Sequence, residues 1–221
     1  MKLDKLVRMI AEQMACCKQE CEGVNWDKNL GYIPRVPLAD IKGCGNGPGM
    51  VIVGMHPART SYNERKLNFR KVFSENNFQE KRGAQLLAQV RYFGQIRELI
   101  RPLVERLGFD GPILWTEMVK CETKAGQDMP MQTRRICSAL YFLEEMKAIP
   151  KEWPLVAVGQ KVFDALCYLF PERPIVGIPH PRASSRYFNS LKKEAQTGNI
   201  RIPVESWEND EYPIAVWLKA E

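Results

Sequence analysis

Apolar residues recur every three or four positions at the start of the chain, at Leu3, Leu6, Val7, Ile10 and Met14. That spacing predicts an amphipathic helix over residues 2–15, running into Cys16 and Cys17. Residues 22–48 are rich in Gly, Pro and Asn and read as an irregular surface segment. Met50-Val51-Ile52-Val53-Gly54 is a short β-branched run closed by glycine, the pattern of a buried strand. A basic, polar stretch over 59–82 has no clear period. Residues 83–107 return to helical spacing (Leu86, Leu87, Val90, Phe93, Ile96, Leu99, Ile100), with Pro102 expected to kink or split the helix. Strand and helix then alternate: a strand over 112–119, a helix over 133–147, a strand over 155–158, a helix from Gly159 through Leu169, and a strand over 175–178.

Such alternation predicts an α/β fold: a single domain over 1–221 with a central, mostly parallel, four-stranded sheet flanked by helices. An N-terminal helix and loop (about 1–48) and a C-terminal extension (about 190–221) lie outside the alternating part. The extension carries Trp207 and Trp217 but no chemical motif. Ligands of such sheets bind beyond the carboxyl ends of strands. Here those ends read Gly54-Met55-His56-Pro57-Ala58, Thr116-Glu117-Met118-Val119-Lys120-Cys121 and Ile178-Pro179-His180-Pro181-Arg182. Both histidines of the chain fall at strand exits, which favours a site over two core histidines.

Composition changes the picture in two places. The charge is +6, from 32 Lys+Arg against 26 Asp+Glu, which allows a polyanionic partner without requiring one. The chain has seven cysteines. Charges recur through the opening residues, unlike a signal peptide, and no apolar run approaches the roughly 20 residues of a membrane span. A cytoplasmic protein without membrane contact is expected, and there cysteines point to metal or cluster ligation rather than disulfides. Cys17 and Cys21 (with Cys16 as a substitute) form one close pair, and Cys121 and Cys137, fifteen residues between them, a second. Two such pairs suit a tetrahedral zinc or an iron–sulfur cluster. Cys167 reads as a core residue, and Cys44 is left open.

Taken together, these motifs resemble the uracil-DNA glycosylase superfamily, most closely its iron–sulfur branch. Gly54-Met55-His56-Pro57-Ala58 matches the Gly-x-x-Pro-Gly/Ala motif. Phe78 and Arg82-Gly83-Ala84-Gln85-Leu86-Leu87 match, loosely, a Phe and a helix start. Thr116–Cys121 followed by Cys137 matches Thr-Asn-Val-Val-Lys-Cys with its later Cys, and His180-Pro181 the late His-Pro motif. The match covers roughly residues 14–188 in the right order. The resemblance implies a [4Fe–4S] cluster on Cys17, Cys21, Cys121 and Cys137, with Cys17 preferred to Cys16. It also implies DNA as partner, a flipped-out base, a single chain as the working unit, and backbone contacts from Arg182, Ser184, Ser185 and Arg186. Residues 63–71, basic with apolar residues interleaved, are a further candidate contact.

Departures from the family pattern bear on substrate. Glu117 stands where the family has Asn. An ionised Glu only accepts hydrogen bonds, so it opposes uracil O4 and suits the N4 amino group of a cytosine. A modified cytosine of phage DNA, hydroxymethylated or glucosylated, is the expected target, and phage defence the expected role. Uracil excision in repair is the alternative should Glu117 be protonated. A catalytically silent iron–sulfur or zinc DNA-binding protein is a third reading, because the usual motif carboxylate is replaced by Met55. Imidazole is suited to moving protons near neutral pH, so His56 is a candidate to activate water, with Glu64, Glu75 and Glu80 as rivals. His180 is expected to hydrogen-bond O2 of the departing base. Phe78 is the expected stacking ring, ahead of Phe69 and Phe73. With no lysine at a Schiff-base position, water should be the nucleophile.

Overall fold

Each of the four β-branched runs forms a strand, and two short strands extend the sheet. The computed structural model of the chain describes residues 3–15, 17–25, 35–41, 44–57, 91–124, 128–182, 185–197 and 215–218. Along them lie α1 (Leu3–Ala15), β1 (Leu38–Asp40), β2 (Met50–Gly54), α2 (Arg91–Leu107), β3 (Ile113–Glu117) and α3 (Met131–Cys137). A π-helical turn (Ser138–Phe142) leads into α4 (Leu143–Ala148), followed by β4 (Leu155–Val158), α5 (Gln160–Leu169), β5 (Ile175–Ile178), α6 (Ser185–Thr197) and β6 (Ala215–Trp217).

The strands form one sheet in the order β1-β3-β2-β4-β5-β6. Parallel pairing runs from β2 to β4 to β5 to β6, with Ile52 opposite Val156, Val156 opposite Val176, and Gly177 opposite Trp217. The architecture is α/β, a mostly parallel sheet flanked by helices, with six strands among the described residues instead of four. β1 and β6 have three residues each, too few for a period of two to stand out. Two helices also depart from expectation. α2 passes through Pro102 without being split, and the helix over 133–147 is interrupted by the π-turn.

By packing, the chain divides into two compact units. One comprises Met1–Ala39, Gly54–Gly83 and Trp115–Ile149; the other comprises Asp40–Val53, Ala84–Leu114 and Pro150–Glu221. In the first, α1 buries Leu6, Val7, Ile10 and Met14, the stripe its sequence spacing sets on one face, and packs against α4. In the second, every residue of β4 and β5 is buried, as expected of a parallel strand covered on both faces. There α5 lies on β4 and β5, and α2 on α6. Gly177 is required by close packing, since a Cβ there would fall 2.2 Å from the Trp217 ring and 2.6 Å from Phe163. Those two rings meet edge to face at 5.4 Å, fixing β6 against α5.

Candidate functional site

In the first unit, backbone ties bring distant cysteines into one neighbourhood. The Cys17 amide donates to the Met14 carbonyl at 3.1 Å, so the thiol follows directly from α1. The segment after Cys21 is fastened to the segment after Cys121: Val24 bridges Thr123, and the Asn25 amide donates to the Glu122 carbonyl at 2.9 Å. Thr133 on α3 donates to the Glu22 carbonyl at 2.9 Å. Gly23 sits at φ +74°, and a Cβ there would meet Pro130 Cδ at 2.5 Å, so both conformation and space demand glycine. Cys137 closes α3, and its sulfur accepts the Lys120 backbone N–H at 3.2 Å.

Electrostatics identify the set. All four thiols are free, Cys121 and Cys137 buried and Cys17 and Cys21 half-buried. Burial, then Cys137, Cys17, Cys21 and Glu122, raise the Cys121 pKa. Cys137 is pushed up to about 11, by burial first and also by Cys21 and Cys17, against the opposing Lys120 N–H and ammonium. Burial and Cys17 raise Cys21. Cys21, Cys121 and Cys137 thus resist ionisation, first because they are buried and next because neighbouring thiols would ionise beside them, a cost that a bound cationic centre lowers. Thiolates are the donors such a centre takes, but as placed the four do not make one site. Among the described residues, no three Cys, His, Asp or Glu side chains converge on one ion. Tyr141, placed by the π-turn, faces the same thiols; burial and the Cys17 thiol raise its phenol pKa. Cys44 lies in the second unit, its thiol donating to the Asp40 carbonyl at 3.4 Å. Cys167, expected in the core, is half-buried.

The motif loop after β2 is stitched to the end of β3. The Met118 amide donates to the Gly54 carbonyl and the Val119 amide to the Met55 carbonyl, each at 2.9 Å. His56 is half-buried, its Nδ1 3.1 Å from the Pro57 carbonyl. A carbonyl only accepts, so Nδ1 carries the hydrogen and Nε2 of the neutral ring is left as the acceptor. Glu117, its side chain 14% exposed, lies 4.0 Å from the Arg35 guanidinium. Burial raises its carboxyl pKa, while Arg35 and Lys120 pull it back down.

Beneath Glu117 lies a buried ion pair that the sequence did not announce. Lys120 Nζ lies 2.6 Å from Glu145 Oε1, with neither side chain exposed to solvent. The ammonium also donates to Thr116 Oγ1 at 2.6 Å, and that hydroxyl donates to Glu145 Oε2 at 2.6 Å. Burial raises the Glu145 pKa, with Lys120 and Thr116 opposing it. The one available sign was a carboxylate among Tyr141, Phe142 and Met146, all buried. Arg35 stands in a Gly- and Pro-rich segment with no period to read.

His180 belongs to the second unit, where β5 ends. Its Nδ1 accepts the Arg182 amide at 3.1 Å, so in the neutral ring the hydrogen sits on Nε2. Its ring lies 5.9 Å from that of Tyr92. Gly159, at φ +98°, turns the chain beside it, and a Cβ there would lie 3.7 Å from His180 Cβ. Arg182 and Arg186 are exposed. Phe78, Ser184, Cys16, the rivals Phe69, Phe73, Glu64, Glu75 and Glu80, and the 63–71 segment lie outside the described residues. No protein-family model matches the chain, and no curated protein matches it.

Proposed function

We propose that the chain is a monofunctional DNA glycosylase. It would hydrolyse the N-glycosidic bond of a modified cytosine and carry a structural [4Fe–4S] cluster on Cys17, Cys21, Cys121 and Cys137. One observation carries the reading. The Gly54–Pro57 loop, the end of β3 and the Cys137 thiol form one bonded block, through Met118, Val119 and the Lys120 amide. In the resemblance, that is where the water-activating residue, the base-reading residue and the cluster ligands stand. Cys17, Cys21, Cys121 and Cys137 would hold the cluster as thiolates, and its positive core would offset part of their charge and tie the N-terminal loop to α3.

Within this reading Glu117 accepts from the exocyclic amino group of the flipped base. His56 Nε2 takes a proton from water, whose oxygen adds to the sugar C1′. The electron pair of the C1′–N bond leaves with the base, on whose O2 negative charge develops; the resemblance assigns the donor to that O2 to His180, whose Nε2 carries the hydrogen. Lys120 is withheld from Schiff-base chemistry because its amine is buried and held by Glu145 and Thr116. Arg182 and Arg186 are exposed for phosphate contact. Excision of the hydroxymethylated or glucosylated cytosines of phage DNA would make this a defence enzyme. Burial of Glu117 favours a second reading, uracil excision, because a neutral carboxyl offers uracil both a donor and an acceptor.

Oligonucleotides carrying uracil, cytosine, hydroxymethylcytosine or glucosylated hydroxymethylcytosine, scored for alkali-labile abasic sites, decide between them. Abasic sites at modified cytosine are expected. Cleavage confined to uracil selects the second reading, and none anywhere refutes glycosylase activity. Glu117→Asn should move relative activity toward uracil by about 10–100-fold, the worth of one mispaired buried group. Iron and acid-labile sulfide in anaerobically purified protein are expected; a colourless protein with stoichiometric zinc would rule the cluster out.

A further inference from the structure

We infer that Arg35 sets the charge state of Glu117, and with it the hydrogen-bonding polarity that the end of β3 offers a base. The inference rests on the reading of Glu117 as the group that meets the base edge.

Arg35 is held in place by its own backbone. Its amide donates to the Lys120 carbonyl at 2.6 Å, three residues beyond Glu117 in the chain. Its guanidinium then lies 4.0 Å from Glu117 Oε1, the two side chains being 23% and 14% exposed. At that separation the charge favours the carboxylate without a short hydrogen bond occupying the oxygen. Screening is weaker than for a surface pair, so the attraction is correspondingly larger.

Among the described residues, Lys120 and Glu145 are the other charged groups coupled to Glu117. The Lys120 ammonium also favours the Glu117 carboxylate, while the charge of Glu117 raises the Glu145 pKa. Lys120 and Glu145 are locked together at 2.6 Å, a pair with no net charge. Burial pushes Glu117 toward the neutral acid. Among the described residues, Arg35 opposes that push more strongly than Lys120 does.

The two states of Glu117 read bases differently. A carboxylate only accepts, so it suits a pyrimidine with an exocyclic amino group and opposes O4. The neutral acid can meet a cytosine edge through C=O to N4–H and O–H to N3. It meets a uracil edge equally well, through O–H to O4 and C=O to N3–H. Arg35 thus acts as a positioning residue for specificity: with it the site is selective, and without it permissive.

The test titrates the protonated-carboxyl stretch of Glu117 by infrared difference spectroscopy of the whole protein, assigned by its loss in Glu117→Gln. In Arg35→Gln the band should persist to a pH about one unit higher than in the wild type, a tenfold change in proton affinity. Arg35→Lys, which keeps the charge, should restore most of the wild-type titration and shows whether loss of charge or loss of fold is responsible. Excision of uracil relative to hydroxymethylcytosine should rise up to about tenfold in Arg35→Gln over wild type, most in the pH window between the two titrations. Identical titrations in wild type and Arg35→Gln would overturn the inference, and so would a shifted titration with an unchanged base preference in an active enzyme. A shifted titration without excision of any base by any variant would overturn the glycosylase reading and leave Arg35's control of Glu117 standing.

Discussion

The first unit buries charge and sulfur where the second buries hydrocarbon. Among the described residues, Thr116, Lys120, Glu122, Thr133 and Glu145 are buried in the first unit, together with Cys121 and Cys137. In the second, Arg173 is the buried charged group, its guanidinium donating to the Pro150 and Lys151 carbonyls. The rest of that core is apolar, centred on β4 and β5. A core of the second kind tolerates loss of one side chain in proportion to the volume removed. A core of the first kind depends on every polar partner being present, because one orphaned charge cannot be relocated to water.

The sharpest way to break this comparison is to remove one partner of the buried pair. Lys120→Met should cost about 3–5 kcal/mol in urea unfolding, whereas the double change Lys120→Met with Glu145→Met should recover most of that loss. Equal losses in single and double variants would mean that Lys120 packs but does not pair. Ile175→Ala, in the apolar core of the second unit, should cost about 2–5 kcal/mol. It should leave the iron content per chain unchanged, and iron loss in this variant would show that the cysteine set depends on more than its own unit.

A smaller effect is expected from pH. The folded pKa of Glu117 lies above that of a free carboxyl. Stability from its bound proton is therefore fully present below the unfolded value and is lost as pH rises through the folded one. Glutamine has no such proton to lose, so Glu117→Gln should gain on the wild type across that window. Urea midpoints at about pH 4 and about pH 7 measure it, and a constant difference between the two proteins would refute it.

How much was legible follows the same division. β2, β4 and β5 announced themselves as short apolar runs, and α1 and α2 as amphipathic spacing, because burial of a whole face imposes a short period on the residues that make it. The π-turn that places Tyr141 shifts the helical phase by one residue, which no period search over 133–147 reveals. Four strands were expected and the described residues hold six, because β1 and β6 are held by neighbours rather than by pattern. The two cysteine pairs were visible as pairs, but the approach of their flanking segments depends on Val24 bridging Thr123 and Thr133 reaching Glu22, contacts across about a hundred residues.

Local sequence thus determined which segments would bury their faces, and which strand ends would carry histidine, glutamate and cysteine. Tertiary structure alone decided the electrical state of those groups. Arg35 beside Glu117, Glu145 beneath Lys120, and Cys17 and Cys21 near Cys121 are neighbours only in the folded chain. A hydrophobic period is set by residues a few positions apart. A carboxyl or thiol takes its character from whatever charge and solvent the fold places within a few ångströms, and nothing in its sequence neighbourhood records that.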